Sequence, residues 1–441
     1  RINRNIANQT FDVTYLVDNG PTVYIERIEI TGNQKTRDFV IRRELGFAEG
    51  DPFNRSMVQR AKMAVEALGF FKTVSIDLQP GSAADKVLIL IVVDEDSTGD
   101  YGATVGYASD QGILGEVSLT ERNFLGRGQY LRVAIGASQS GKSFDFSFTE
   151  PRFMGLKISS GIDVYHRITD ETTSSFYGTT ATGGQIRFGL PVTRDISATI
   201  FTGVETKTFA DASMPFSALG PSGIQDGSLN GVMRNKAWAG YSLIYNGLDD
   251  EKRPSEGLYA VLTQQYMGWD YNLLRSEAKA RYYVPIMDTG IVASVKGQAG
   301  MINSFGAPTP SDALEAFYLG STVIRGFQPR QLGPRHSVSG EAIGTTMYAA
   351  VSGEIEFPIP VLPETYGING ALWADAAWIG GVPGGLAASP TSVDNPFKAS
   401  VGASIIWYGP FGPLRGDLGY VLSKATDDKT QIFQLTIQNL L

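Results

Sequence analysis

From about Tyr101 onward the chain is written in alternation. Phe144, Phe146 and Phe148 face away from Ser143, Asp145, Ser147 and Thr149, and Leu156, Ile158, Ser160, Ile162 and Val164 face away from Lys157, Ser159, Gly161, Asp163 and Tyr165. Side chains of a strand point to opposite faces with a period of two, so each such segment is a strand with one apolar and one polar face. Clusters of Gly, Asn, Asp, Ser and Pro separate the segments, and 51 glycines and 23 phenylalanines in 441 residues fit many strands joined by turns. Two packed sheets could hide the apolar faces in a soluble sandwich, but about 340 residues is long for one such domain. A closed antiparallel barrel uses that length readily. It turns the apolar face to lipid and the polar face to a wet lumen, with strands of ~9 to 11 residues and no free edge.

No segment approaches the ~18 to 20 uninterrupted apolar residues of a membrane helix; the nearest is the short run Val87 to Val93. A mean hydropathy of −0.07 is compatible with a membrane barrel, because only every second residue of its wall must be apolar. Connections are unequal: Thr206 to Asn235 and Gly306 to Glu341 are long and polar, Asp288 to Gly290 is tight. That asymmetry predicts long external loops and short periplasmic turns.

The first hundred residues read differently. Tyr24 to Ile30 alternates as a strand and ends at Gly32-Asn33. Thr36 is expected to cap a helix running to Leu45, with Val40 and Ile41 inward and Gly46 closing it. Asn54 caps a second helix whose Val58, Ala61, Val65 and Leu68 share one stripe, stopped by Gly69. Strands Thr73 to Gln79 and Val87 to Asp94 follow, giving a β-α-α-β-β unit of about 70 residues. Phe11 to Val17, before the turn at Asp18-Asn19-Gly20-Pro21, reads as the last strand of a preceding copy. The expected organisation is a remnant over 1–21, the small domain over 22–96 and the barrel over 100–441. With no basic, apolar leader at Arg1, the chain is read as a fragment missing its natural start.

Few residues could perform covalent chemistry. There is no cysteine, and only His166 and His336, in distant segments, offer imidazole, so neither a metal site nor a nucleophile and base pair is expected. Neither a phosphate-binding glycine loop nor a G-x-S-x-G elbow occurs. A net charge of −8 argues against a nucleic-acid partner.

Several strings, in order along nearly the whole chain, resemble the BamA family of outer-membrane barrel-assembly insertases and its secretion relatives. The β-α-α-β-β unit looks like a POTRA domain, the last of a tandem array. Asn123-Phe124-Leu125-Gly126-Arg127-Gly128 resembles the family's early barrel turn, Phe148-Thr149-Glu150-Pro151-Arg152-Phe153 its following strand end, and Tyr245 to Asp249 with Pro254 to Gly257 a further periplasmic turn. Ile324-Arg325-Gly326-Phe327 is similar to the motif of the family's inward-folded sixth external loop. The resemblance implies sixteen strands, the first near Tyr101 to Ala108 and the last near Gln431 to Leu441. It also implies a bacterial outer-membrane location with the POTRA domain in the periplasm, and no cofactor or enzymatic activity. Implied partners are unfolded outer-membrane protein precursors, accessory lipoproteins at the POTRA domains, and lipid.

Arg325 then becomes the central candidate. A guanidinium stays charged and binds carboxylates bidentately, so an arginine in a loop entering the lumen can clamp acidic wall residues. Glu356 and Asp375 match the family's acidic partners, with Gly326 and Phe327 completing the motif; Glu354 shares the face of Glu356 and is a rival. A barrel that inserts other barrels also needs backbone hydrogen bonds that can open, where first and last strands meet. Candidate seam residues are Tyr101, Gly102, Gly106 and Tyr107 on one side and Phe433, Leu435, Ile437 and Leu441 on the other. The glycines either weaken the first strand or make room for lumen side chains. The leading expectation is an insertase, the alternative a transporter passing an extended client through the lumen; a passive porin and an enzyme are disfavoured.

Overall fold

The computed structural model describes residues 2–5, 10–13, 22–108, 112–170, 178–210, 231, 233–251, 253–287, 290–306, 315–336, 342–360, 362–383, 390–391, 394–409 and 412–437. Two compact units emerge: Arg1–Gly99 with Arg122–Gln129, and Asp100–Glu121 with Tyr130–Leu441.

In the first unit β1 (Ile2–Asn5) and β2 (Thr10–Val13) form an antiparallel pair. The strand expected over Phe11 to Val17 is thus seen as far as Val13; its remainder lies outside the described residues. Then come β3 (Tyr24–Thr31), α1 (Asp38–Arg42), α2 (Arg55–Glu66), β4 (Phe71–Pro80) and β5 (Lys86–Glu95). β5 is central, parallel to β3 and antiparallel to β4. Ile25, Ile28, Ile89, Ile91 and Val93 of the sheet bury themselves against Ile41, Ala61 and Val65 of the helices. That shared core is what stabilises a unit this small.

α2 begins as its sequence indicates. Asn54 is extended and its Oδ1 accepts the Ser56 N–H at 2.9 Å, while Gly69, at φ +67°, occupies the left-handed region after the last turn. α1 does not. It is five residues long, its N-cap is Arg37, and no side chain caps it. Thr36 is occupied elsewhere: its hydroxyl accepts from Asn123 Nδ2 at 2.8 Å and its N–H donates to Glu95 Oε1 at 2.6 Å. Lys35 N–H reaches the same carboxylate at 2.9 Å. Burial alone would raise the Glu95 carboxyl, but these donors outweigh it and hold it below the usual carboxylate range. Within the same unit Gly126 O accepts the Arg37 N–H at 2.8 Å, and Asn123 Oδ1 accepts the Gly128 N–H at 2.7 Å. A Cβ on Gly126, at φ +69°, would lie 1.9 Å from Lys35 O, so the glycine of this turn is obligatory.

The second unit is one antiparallel sheet. Its strands are β6 (Gly99–Ala108), β7 (Gly112–Phe124), β8 (Gln129–Ser138), β9 (Gly141–Glu150), β10 (Ser159–Thr169), β11 (Gly178–Pro191), β12 (Ile196–Ala210) and β13 (Met233–Asn246). There follow β14 (Gly257–Trp269), β15 (Leu273–Ile286), β16 (Ile291–Ser304), the short β17 (Arg335–His336), β18 (Met347–Pro358) and β19 (Ile368–Gly380). The short β20 (Pro390–Thr391), β21 (Phe397–Gly409), β22 (Gly412–Ser423) and β23 (Phe433–Ile437) complete the set. β17 and β20 pair with each other; the other sixteen strands, counted among the described residues, join in chain order from β6 to β23.

Alternation explains both faces. Along β10 and β11 the outward Ile162, Val164, Ile186 and Phe188 are exposed, and the same holds for Val351, Ile355, Leu372, Ile405 and Leu418 further round. An apolar surface this continuous is abnormal for a protein in water and normal for one in lipid. No helix among the described residues is long and apolar enough to cross a membrane. Inward side chains surround two cavities of about 540 and 560 Å³, one reaching from Thr169 on β10 to Tyr348 on β18, the other from Arg281 on β15 to Thr436 on β23. The sheet therefore curls into a barrel, sixteen strands as expected. It is not sealed: β6 and β23 end the sheet, and no ladder joins them among the described residues.

The long stretch expected as loop from Thr206 to Asn235 is partly strand. β12 continues through Ala210, β13 starts at Met233, and Thr206 is in register with Asn235. Polar residues there misled the reading because the wet face of a strand is as polar as a loop. Asp288 lies outside the described residues.

Candidate functional site

The segment from Glu315 to His336, which follows β16 in sequence, runs inside the barrel. It is anchored at its middle by Arg325. The Nε and Nη2 of Arg325 donate to the two carboxylate oxygens of Asp375 on β19 at 2.8 and 2.6 Å, a bidentate fork, and the Arg325 N–H adds a third bond to Oδ2 at 3.0 Å. Nη1 reaches Glu354 Oε2 on β18 at 2.6 Å, Nη2 reaches Ser352 Oγ at 2.8 Å, and the guanidinium lies 4.0 Å from the Trp373 ring centroid.

Glu356 takes no part in this ion pair. Its carboxylate accepts from Asn369 Nδ2 at 2.5 Å and from Tyr408 Oη at 2.9 Å, while Glu354 is the residue that meets Arg325. Both point inward, two residues or ~7 Å apart, so face alone could not separate them. How deep the loop reaches decides it.

Sequence reasoning missed two of the five charged groups of the cluster, Arg415 and Asp417. Arg415 on β22 grips Glu354 with two bonds of 2.8 and 2.7 Å, and its Nε reaches Asp417 Oδ1 at 2.8 Å. Ser404 Oγ donates to Asp417 and accepts from Trp373 Nε1 at 2.9 Å. Two guanidinium groups thus interleave with three carboxylates, nearly all buried. Desolvated charges persist only when paired on every side, and this network supplies that pairing. The run Arg415-Gly416-Asp417, two opposite charges on one face of a strand, was the available signal.

Glycines shape the floor. A Cβ on Gly402 would stand 2.3 Å from the Trp373 ring, and one on Gly419 would stand 3.1 Å from Gly326 Cα. Trp373 therefore lies flat in a trough, Arg325 stacks above it, and Gly326, at φ +91°, lets the backbone approach. Phe327 is fully buried beside Ile324 and Leu332. Its backbone bridges Thr430, with Gln328 N–H donating to Lys429 O at 3.0 Å and Gln431 N–H to Gly326 O at 2.9 Å. That last segment, held by the buried Lys398–Asp428 pair at 2.6 Å, leads into β23.

A second anchor had no warning in the sequence. Glu315 meets Lys236 on β13 at 3.2 Å and Lys207 on β12 at 3.5 Å, and both lysines share Glu205. The loop is a strap fixed to two separated parts of the wall.

Among the described residues β23 pairs with β22 over five positions, Leu414↔Ile437 to Leu418↔Phe433. Phe433 is exposed, whereas Gln434 and Thr436 line the lumen cavity. Leu435 lies between them on the same strand as Phe433 and Ile437. Tyr101 is 85% exposed. Gly102 faces Ser118, whose Oγ a Cβ would approach to 2.6 Å, so this glycine makes room for a neighbour. Gly106 and Tyr107 lie on β6, and Leu441 is outside the described residues. Of the histidines, His166 Nδ1 lies 2.8 Å from Thr182 Oγ1 on an exposed position, and His336 lies on β17. No group of three or more metal-ligating residues occurs among the described residues.

A model of the Omp85 superfamily domain matches residues 123–439, and a POTRA model, described as a surface antigen variable number repeat, matches 23–96. The chain belongs to the Omp85 superfamily. Curated relatives include the outer membrane protein assembly factors BamA of Neisseria meningitidis serogroup B, 28% identical over 98% of this chain and 58% of that protein, and of Neorickettsia risticii, 26% identical over 98% and 57%. The chain thus spans less than two thirds of the length of either. Among solved structures, BamA from Haemophilus ducreyi lacking POTRA domains 1-3 matches with a TM-score of 0.82 at 23% identity, covering 99% of this chain and 88% of that one. CdiB from Acinetobacter baumannii matches with a TM-score of 0.60 at 14% identity over 94% and 73%. The Omp85 chain is an outer-membrane protein with a POTRA unit in the periplasm.

Proposed function

We propose that the chain is the barrel and membrane-proximal POTRA part of an insertase that folds outer-membrane proteins, and that it works without covalent chemistry. The observation that carries this reading is the sheet end: among the described residues no ladder joins β6 to β23, of which five residues are described. Unpaired N–H and C=O groups are costly in hydrocarbon, so an edge at the membrane is a template for an incoming strand that carries the same need. Partners on this reading are unfolded barrel precursors, with accessory assembly proteins at the POTRA unit. The strap supports insertion over export, because a loop fixed to two parts of the wall obstructs an extended client in the lumen. The Arg325 cluster is proposed to hold that strap and, through Phe327 and Thr430, the approach to β23.

Reconstitution tests this. The chain lacks cysteine, so a single engineered disulfide can join β6 to β23 without competing thiols. Liposomes carrying the protein should speed the appearance of protease-resistant folded barrel from an unfolded precursor, and the oxidised disulfide should abolish the gain reversibly. Unchanged acceleration with the seam locked rejects the template, and passage of an extended client into the liposome would favour export.

A further inference from the structure

The larger charge imbalance of the lumen lies in the cavity of about 540 Å³ bounded by β10 to β18 and the strap, whose Arg281 and Lys296 also border the cavity of the Arg325 cluster. Two of its cations are locally neutralised, Lys207 by Glu205 and Glu315, and Arg275 by Glu277 at 2.7 Å. Four more line the same cavity: Lys279, Arg281, Lys296 and Arg330. Lys279, Lys296 and Arg330 have no carboxylate within ion-pair distance among the described residues.

Two features argue that this excess is built and not incidental. Arg281 on β15 and Lys296 on β16 are direct cross-strand partners, and like charges so placed repel. Arg330 is carried on the strap at φ +56°, a conformation unfavourable for a side chain of its kind, with its guanidinium 4.2 Å from the Tyr318 ring and its Nε buried without a hydrogen-bond partner among the described residues. Arg330 and the repelling Arg281–Lys296 pair line one cavity, and an anion there would offset the repulsion and neutralise the strap guanidinium.

We propose that this cavity binds a phosphate-bearing group between the wall residues Lys279, Arg281 and Lys296 and the strap residue Arg330. Phosphate suits the set because guanidinium forks match its oxygens in pairs while ammonium groups act as point charges. A cavity of this volume leaves room for further atoms attached to the phosphate. The site is independent of the insertion reading and of the seam.

The test uses the folded 441-residue chain in phosphatidylcholine nanodiscs, titrated calorimetrically with inorganic phosphate at constant ionic strength. The wild type should bind saturably, and a Lys279→Gln/Lys296→Gln double variant should bind about tenfold or more weakly. Thermal unfolding supplies the second readout. Phosphate should raise the midpoint of the wild type and not of the variant, whose midpoint without phosphate should match or exceed the wild type because the repulsion is gone. Arg330→Gln, on the strap and not the wall, serves if the double variant does not fold, and should also weaken binding. Nanodiscs containing phosphatidic acid separate the sources: loss of the response to added phosphate there identifies a lipid headgroup, and an undiminished response identifies free phosphate. Chloride giving the same midpoint shift, identical titrations for wild type and variants, or binding of a polyglutamate peptide with none of phosphate would each overturn the assignment.

Discussion

Arg325 is bound at both ends of its fork, by Asp375 and by Glu354, so the two acidic partners should differ sharply from Glu356 when neutralised. Removing one member of a buried charge cluster leaves the other uncompensated, at a cost of about 3 to 5 kcal/mol. Arg325→Ala and Asp375→Asn should loosen the middle of the strap and raise protease cleavage near Gly326 while its Glu315 end stays held, whereas Glu356→Gln, whose hydrogen-bond partners among the described residues are Asn369 and Tyr408, should leave that cleavage rate near wild type. Equal protection in all three variants would sink the clamp. Gly402→Ala is the steric counterpart. Its methyl cannot coexist with the Trp373 ring, so the indole should move, changing tryptophan fluorescence, and overpacking should lower stability by about 1 to 3 kcal/mol. The sequence revealed Arg325 and Asp375 through resemblance, since a motif fixes residue type and order. It could not choose Glu354 over Glu356, because parity assigns both to one face and the depth of a loop is a tertiary property.

At the scale of elements, the strands and the Asn54 cap were legible and the Thr36 cap was not. Period-two alternation is local, so a barrel of many strands could be anticipated from the residues, while the number sixteen came from the family resemblance. Thr36 looked like a cap because its neighbours suit one, yet Asn123, 87 positions away, and Glu95 claim it. The turn between β13 and β14 offers a prediction at this scale. Asp249 accepts from Ser255 N–H at 2.9 Å, from Ser255 Oγ at 2.5 Å and from Glu256 N–H at 3.1 Å. Burial opposes ionisation, but these donors outweigh it and lower the carboxyl to about 2. A depressed carboxylate stabilises the folded turn above its unfolded pKa, near 4, and that stability is lost as pH falls toward 2. Amide exchange at Ser255 and Glu256 should therefore be protected at pH 5 and lose protection between pH 4 and 2, beyond the ordinary change in intrinsic rate. In Asp249→Asn that step should vanish; its persistence would assign the transition to another group.

For the whole molecule, the question is how a sheet whose end strands share no ladder among the described residues remains a barrel. Its lumen is bridged by a strap fixed by Glu315 to β12 and β13 and by Arg325 to β18 and β19, and the strap's backbone also holds the segment before β23. This second anchor escaped the sequence reading because Lys207 fell in a stretch taken for loop, and because nothing local ties it to a glutamate 108 positions later. Two anchors on one strap are not independent. With either intact, the other end is already confined, so a single Glu315→Gln or Arg325→Ala exchange should leave most of the lumen obstructed, whereas the double exchange frees the strap. The effects should be more than additive, since residues in one network couple. Single-channel recording in planar bilayers measures this: low conductance for wild type, small increases for the single variants, and a large, fluctuating conductance for the double variant. A double variant as silent as the wild type would mean that packing of Ile324, Phe327 and Leu332 alone retains the strap, and the ion pairs would then set its register without holding it in place.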